Sequence, residues 1–145
     1  AAESDLPVLI HMLADDALGR NREDSSTTIN PKYIDAFNVI RSDQNNELIV
    51  ACNNEIVVGM LQLTFIPYLT YIGSWRCLVE GVRIHSEHRG HGLGKRLFEW
   101  AISRAQERNC HLIQLTSDKT RPDAIRFYES LGFVASHEGL KLHFR

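Results

Sequence analysis

The sequence predicts an α/β domain built around one mixed β-sheet, and three observations point to that fold class. Apolar residues follow helical spacing before Asp43, and the period changes to that of strands in the segment that follows it. Residues 48–66 form two apolar runs around an Asn-Asn turn, which predicts an antiparallel hairpin. Residues 78–116 hold a strand, a helix and a strand, and a crossover through one helix requires those strands to be parallel. We expect one domain over residues 1–145.

The elements follow from spacing, capping residues and turn residues. Asp5 and Asn30 precede prolines near the starts of two apolar-periodic runs, as N-caps do. In the first half, the predicted helices are 6–18 and 31–42, with a polar loop at 20–28 between them. The predicted later elements are strands 48–52, 56–66, 74–84 and 112–116, helices 93–108 and 122–131, and a last hairpin of 133–135 with 140–144. The order ααβββαβαββ predicts a mostly antiparallel sheet flanked by about four helices.

Composition excludes several function classes. A formal net charge of −2 gives no support for nucleic-acid binding, and no apolar run approaches the ~20 residues of a membrane span. Three widely spaced cysteines predict buried free thiols in a reducing, cytoplasmic compartment. Histidine and cysteine pairs at HxxxH or CxxC spacing are absent from the sequence, so we expect no metal.

A glycine-rich loop between a predicted strand and a predicted helix is the most informative segment. Its three glycines let the backbone approach an anion, and the N–H groups and dipole of the helix's first turn favour a phosphate there. The loop consists of Arg89, Gly90, His91, Gly92, Leu93, Gly94 and Lys95. The spacing differs from the Gly-x-Gly-x-x-Gly of dinucleotide-binding folds, and Arg96 stands where a Walker loop needs Ser or Thr. A merely tight turn is the alternative.

Two further residues are candidates for acid–base chemistry. Strand alternation places Glu80 on one face with Leu78, Val82 and Ile84, where a desolvated carboxylate suits a general base. The alternative is a carboxylate satisfied by a neighbouring arginine. Tyr128 lies on the apolar face of the last predicted helix, where a tyrosine needs a partner for its hydroxyl or is simply part of the core.

Together these segments resemble the GNAT superfamily of acetyl-CoA-dependent N-acetyltransferases. Residues 89–94 match the family's (Gln/Arg)-x-x-Gly-x-(Gly/Ala) loop. Residues 124–133 match its Ala-x-x-Phe-Tyr-x-x-x-Gly-Phe signature, and residues 79–84 stand where its central strand does. The similarity covers nearly the whole chain, so the resemblance implies the GNAT fold, with a central pair of parallel strands that splay apart.

The resemblance also implies roles for these residues. Residues 89–95 would bind the CoA pyrophosphate, and the backbone of Val82 and Ile84 would bind the pantetheine amides. Tyr128 would protonate the leaving CoA thiolate, since a phenol stays protonated at neutral pH. Glu80 would take a proton from the amine, which then attacks the thioester directly. Acetyl-CoA is the expected co-substrate and a small-molecule amine the expected acceptor.

The sequence departs from the family pattern in ways that leave questions open. Arg121 stands where many members have a pantetheine-contacting Asn, and it or Lys119 is either solvated or a contact for an acidic group. His85 or His88 can replace Glu80 as the base. The acceptor can also be a protein N-terminus or lysine, and a non-catalytic acyl-CoA sensor is a further alternative. The resemblance allows a homodimer and places the family's first strand before Ala1.

Overall fold

The computed structural model describes residues 1–144, which fall into two compact units. The first unit is Ala1–Gln114 and the second begins at Leu115. In the first unit the elements are α1 (Leu6–Ala14), α2 (Pro31–Ser42), β1 (Asn46–Asn53), β2 (Ile56–Pro67), the short helical turn α3 (Thr70–Gly73), β3 (Trp75–Ile84), α4 (Leu93–Glu107) and β4 (Cys110–Gln114). The second unit contains α5 (Pro122–Ser130).

The first unit confirms the predicted mixed sheet. Its strand order is β1-β2-β3-β4. The pairs β1–β2 and β2–β3 are antiparallel, and β3–β4 is parallel. Helix α4 is the crossover between the parallel strands and packs against β2, β3 and β4. The hairpin turn is Asn54-Glu55, one residue later than predicted, and both residues have positive φ as a two-residue hairpin turn requires.

Strand β2 is the centre of the core and is covered on both faces. On one face Met60 joins Leu9 and Met12 of α1 in an apolar cluster. Alternate residues on the other face, Leu61 and Leu63, are fully buried. The continuous apolar sequence of β2 matches this position, because a strand that is buried on both faces needs apolar side chains on both.

An ion-pair network holds the edge strand β1 against α4. Arg104 donates from Nε to both carboxylate oxygens of Glu47 at 3.1 Å, and from Nη2 at 2.5 Å. Arg108 lies 3.5 Å from the same carboxylate. The hydrogen bonds that Arg104 donates to Glu47 and Glu107 raise its pKa, and Arg104 stays charged throughout. Because the Glu47 and Arg104 side chains are mostly shielded from water, this pair is screened less than a surface ion pair.

The connection between β2 and β3 is a left-handed turn that the sequence pattern did not predict. Tyr71, Ile72 and Gly73 have φ of 53°, 61° and 63°. A β-branched residue such as Ile72 rarely adopts this conformation, because its side chain crowds the following carbonyl. Apolar spacing carries no information on such a turn, so the sequence predicts only the strand that follows it.

In the second unit a glycine ends α5 as predicted. Gly132 has φ +99°, and its N–H donates to the carbonyl of Glu129 at 3.0 Å. The N–H of Phe133 donates to the carbonyl of Tyr128 at 3.1 Å. These two bonds form a Schellman motif, which satisfies carbonyls left open at the helix end.

The predicted last hairpin, 133–135 with 140–144, is wrong for the described residues. Residues 133–144 form no strand there. Leu140 and Phe144 are 93% and 89% exposed. Alternating apolar residues predict which face of a strand is buried, but a strand also needs a partner ladder, and an isolated hairpin is only marginally stable.

The three cysteines differ in burial, which corrects the prediction that all are buried. Cys77 is buried, Cys110 is half-buried and Cys52 is exposed near the end of β1. Burial raises the pKa of the Cys77 thiol to about 12, and burial also raises the pKa of Cys110. Among the described residues, no helix is long and apolar enough to cross a membrane.

We expect the thiols to react in the order of their exposure. At pH 8 an aromatic disulfide reagent should modify Cys52 rapidly, whereas Cys77 should react only after denaturant is added, because the thiolate is the nucleophile and burial disfavours it. The measurement is thiol release against time with and without denaturant. Cys52→Ser is the control and should remove the fast phase. Fast modification of Cys77 in the native protein would contradict the prediction.

Candidate functional site

The first part of the candidate site is the open edge of β3. Parallel pairing with β4 ends at Leu78 and Gln114, whereas β3 continues to Ile84. Within residues 1–144, no strand pairs with this edge of β3 beyond Leu78. The parallel pairing therefore stops where β4 ends, at Gln114. The edge beyond that point can offer backbone groups to a ligand that carries amides.

The backbone groups of Val82 and Ile84 face this open edge. The N–H of His85 donates to the carbonyl of Val58 in β2 at 2.8 Å, and backbone groups alternate between the two edges of a strand. The groups of Ile84 and Val82 consequently point away from β2. The predicted contacts to pantetheine amides require this orientation.

Two arginines hydrogen-bond to these outward carbonyls. Arg83 donates from Nη1 to the carbonyl of Val82 at 2.7 Å. Arg89 donates from Nε to the carbonyl of Ile84 at 3.1 Å. A ligand amide N–H that donated to either carbonyl would therefore displace the arginine or share the carbonyl oxygen with it.

A β-bulge at Gly81 decides which later residues of β3 share a face with Glu80. Glu80 lies opposite Gln62, but Arg83 lies opposite Met60, so residues 81 and 82 together face Leu61. Gly81 has φ +63°, as the first residue of this kind of bulge does. The extra residue reverses the alternation from that point onward.

The bulge corrects the predicted surroundings of Glu80. Because Gln62 and Met60 lie on the same face of β2, Glu80 shares its face with Arg83 and not with Val82 and Ile84. This is the face that packs against α1, where Arg83 forms an ion pair with Asp16 at 3.1 Å. Glu80 is exposed, so the expected desolvation by apolar neighbours is absent.

The glycine loop, residues 89–95, has the backbone of an anion cradle. Gly90 and Gly92 have φ of +83° and +74°, and an added Cβ at either would meet no atom within 4 Å. Within the described residues, the N–H groups of Gly92 to Lys95 make no backbone hydrogen bond. The first bond of α4 runs from the N–H of Arg96 to the carbonyl of Gly92. These donors and the helix N-terminus fit a pyrophosphate.

The side chains of the loop extend this surface. Lys95 is exposed and lies 4.0 Å from Glu99, and Arg89 lies 3.9 Å from Asp15. His91 and Leu93 line a cleft of about 290 Å³ beside the loop. The remaining residues that line it are Cys52, Asn53, Val58, His88 and Arg96.

Tyr128 is positioned by the end of α5 in the second unit. Its ring is half-buried and meets the ring of Phe133 edge-on, with centroids 6.0 Å apart. Phe133 also donates its N–H to the Tyr128 carbonyl in the Schellman motif, which commonly brings these two side chains together. The Gly-Phe pair of the sequence signature thus fixes the tyrosine locally.

A second cleft, which sequence reasoning did not identify, lies between α1 and the loop before α2. Its volume is about 200 Å³. It is lined by Pro7, Ile10, His11, Ser25, Ser26, Thr27 and Ile29. The His11 ring lies 6.4 Å from that of His85, so the cleft is close to the end of β3. Helical spacing showed Ile10 as apolar but gave no signal that its neighbour His11 borders a cavity.

Asp24 shapes the loop wall of this cleft. Its carboxylate accepts hydrogen bonds from the Ser26 N–H and hydroxyl and from Asn30. These bonds lower the pKa of Asp24 because they favour its charged form. The Asp24 N–H donates to the hydroxyl of Tyr33, which in turn donates to Glu23. Burial raises the pKa of Tyr33, which remains a hydroxyl donor.

Known proteins resemble this chain over most of its length. The sequence profile of the acetyltransferase (GNAT) family matches residues 10–133. The aminoalkylphosphonate N-acetyltransferase of Salmonella typhimurium strain LT2 is 30% identical over 105 residues, which cover 72% of this chain and 68% of the relative. The L-amino acid N-acyltransferase MnaT of Escherichia coli strain K12 is 25% identical over 112 residues, which cover 74% of this chain and 64% of the relative.

A solved structure agrees with the fold of the whole chain. The crystal structure of a transcriptional regulator from Bacillus halodurans C-125 is 64% identical and superposes with a TM-score of 0.97, over 99% of this chain and 96% of that chain. The profile match includes the open edge of β3, the glycine loop and the α5 signature. The chain therefore belongs to the acetyltransferase (GNAT) family, and it is an acyltransferase.

Proposed function

We propose that this protein transfers an acetyl group from acetyl-CoA directly to the primary amine of a small molecule. The observation that carries the proposal is the glycine loop. The N–H groups of Gly92 to Lys95 make no backbone hydrogen bond among the described residues, and the loop begins only five residues after the end of β3. A pyrophosphate and an amide-bearing chain on one ligand would use both features at once.

The cofactor would be held mainly by backbone. The N–H groups of residues 89–95 would bind the pyrophosphate, with Arg89 and Lys95 adding positive charge. Val82 and Ile84 would bind the pantetheine amides through their outward groups, as an added strand does. When bound, acetyl-CoA would supply a thioester whose acetyl carbon an amine can attack.

Two side chains would move the protons. Glu80, directly or through water, would accept a proton from the substrate ammonium, so that the neutral amine can form the new C–N bond. Tyr128 would give its hydroxyl proton to the sulfur as the C–S bond breaks, and the proton that the nitrogen loses after it forms the C–N bond would pass through water to the Tyr128 phenolate. The exposure of Glu80 supports access for a substrate and for water. Neither step needs a covalent intermediate on the protein.

The acceptor would enter through the cleft beside α1. A volume of about 200 Å³ is below the usual range for drug-sized ligands, which favours a small amine over a folded partner. The cleft is lined in part by α1, the helix that packs against the face of the sheet that carries Glu80. Two relatives act, by their names, on an aminoalkylphosphonate and on L-amino acids, and both acceptors are small amines.

Two alternative functions make different predictions. A protein N-terminal or lysine acetyltransferase would acetylate peptides in preference to small amines. A non-catalytic acyl-CoA sensor would bind the cofactor without turnover, and the similarity to a structure described as a transcriptional regulator favours testing this alternative.

Calorimetric titration with acetyl-CoA, CoA and NADH, followed by an acceptor screen, tests the proposal. We expect saturable binding of acetyl-CoA, no response to NADH, and faster CoA release with aminoalkyl acids than with peptides. An absence of acetyl-CoA binding would overturn the proposal. Binding with peptide-only turnover, or with no turnover, would replace it with one of the two alternatives.

Gly92→Val should abolish the cradle without unfolding the chain. A branched side chain would occupy the space left for the pyrophosphate, and acetyl-CoA affinity should fall at least about tenfold. Gly73→Val is the matched control, because Gly73 also has positive φ and open space around it. Both variants should lose about 1–2 kcal/mol of stability through backbone strain. Equal acetyl-CoA affinity in the two variants, measured by calorimetry, would contradict the prediction.

Tyr128→Phe should separate turnover from binding. Removal of the acidic proton should lower kcat by about 10²–10⁴-fold and leave the acetyl-CoA Kd nearly unchanged. Tyr71→Phe removes a hydroxyl from an exposed tyrosine outside the proposed site and should keep wild-type turnover. Steady-state kinetics and calorimetry on both variants give the comparison. Unchanged turnover in Tyr128→Phe would exclude this residue as the acid.

Glu80→Gln should slow the reaction more at neutral pH than at high pH. At neutral pH the amine is protonated and needs the base, whereas at high pH free amine is already present. The measurement is the pH profile of kcat/KM for Glu80→Gln and for the control Glu55→Gln, which changes an exposed turn residue. A loss of equal size at every pH would indicate a structural role for Glu80 and favour His85 or His88 as the base.

A further inference from the structure

Three side chains with metal-ligating atoms come together on the turn that links β3 to the glycine loop. This turn is the 3₁₀ helix Ser86–His88, and His85 is its N-cap. One ligand atom each from His85, Glu87 and His88 lie within 4.8 Å of one another. The sequence spacing did not match a known metal motif, so only the tight turn reveals the cluster.

The chemistry of the cluster suits a metal ion. Two imidazoles and one carboxylate are a ligand set that zinc uses when water completes the coordination. The Glu87 carboxylate forms no ion pair or hydrogen bond with any described residue, and the His88 ring nitrogens have no hydrogen-bond partner among them. His85 and His88 are half-buried and Glu87 is exposed, so the site has an entry path.

The turn holds the ligands close before any ion arrives. The Glu87 N–H donates to Nδ1 of His85 at 3.3 Å, and the two imidazole rings meet edge-on with centroids 5.8 Å apart. An ion on Nδ1 would replace that long hydrogen bond with a stronger ligand bond. Ligand atoms around zinc stand somewhat closer than 4.8 Å, so binding needs only side-chain rotations.

We propose that His85, Glu87 and His88 bind one divalent ion of the zinc class, with water as the remaining ligand. The ion would fix the turn that connects Ile84, the last residue of β3, to Arg89, the first residue of the glycine loop. This proposal does not rest on the proposed acetyl transfer. A metal bound at this turn would reduce the motion of the adjacent glycine loop.

The test is calorimetric titration of the chelator-treated protein with Zn²⁺, supported by the visible absorption of bound Co²⁺. We expect one ion per chain and a rise in Tm on addition of Zn²⁺. His85→Gln and His88→Gln should each weaken binding more than about tenfold, and Glu87→Gln should weaken it as well. His143→Gln is the matched control and should bind as the wild type.

A competing set of ligands lies in the cleft next to the loop, which His88 also lines with Cys52 and His91. Cys52→Ser and His91→Gln should leave Zn²⁺ affinity unchanged if the proposal holds. Loss of binding in either variant, with His85→Gln unaffected, would overturn it. An absence of stoichiometric Zn²⁺ binding, or equal binding by all variants, would also overturn it.

Discussion

The early end of β4, which leaves β3 unpaired on one edge after Leu78, is the constraint on which the rest of the structure depends. A strand normally satisfies its backbone groups on both edges, and β3 does so only as far as Leu78. Beyond that residue one edge remains open over Val79 to Ile84. The core tolerates the opening because β2 pairs with β3 on the other edge as far as Ile84 and is itself covered on both faces. The open edge is thus supported by buried packing rather than by its own pairing.

The bulge and the turn that follow set what stands around this edge. Pairing with Gln62 puts Glu80 on the α1 face, and the extra residue at Gly81 moves the side chains of Val82 and Ile84 off that face, while their backbone groups point outward. The chain then closes a 3₁₀ turn and enters the glycine loop. The side chain of Glu80, the proposed base, therefore lies on one face of β3, while the backbone groups proposed to bind the cofactor lie along its open edge. Two ligands could thus approach the same strand from different directions.

Local signals predicted the parts of the site that are built from neighbouring residues. Gly90 and Gly92 of the loop and Gly132 adopt positive φ where a turn or a helix end requires it, and this preference is a property of glycine itself. The Gly-Phe pair that follows Tyr128 predicts a helix end because its hydrogen bonds span only a few residues. The prediction of the last hairpin was wrong for a related reason. A strand needs a hydrogen-bonding partner, and the alternation of apolar residues within one segment does not show whether a partner is present.

The sequence by itself determined the fold class, the order of most elements and the position of the glycine loop, because spacing and turn chemistry act within a few residues. Only the tertiary structure decided which face Glu80 occupies, that His11 borders a cleft, and that His85, Glu87 and His88 stand together. Each of these depends on register, on packing between distant elements or on a turn geometry that residue types do not specify. One inserted residue in a strand reverses every later side chain, and no periodicity in the sequence announces it.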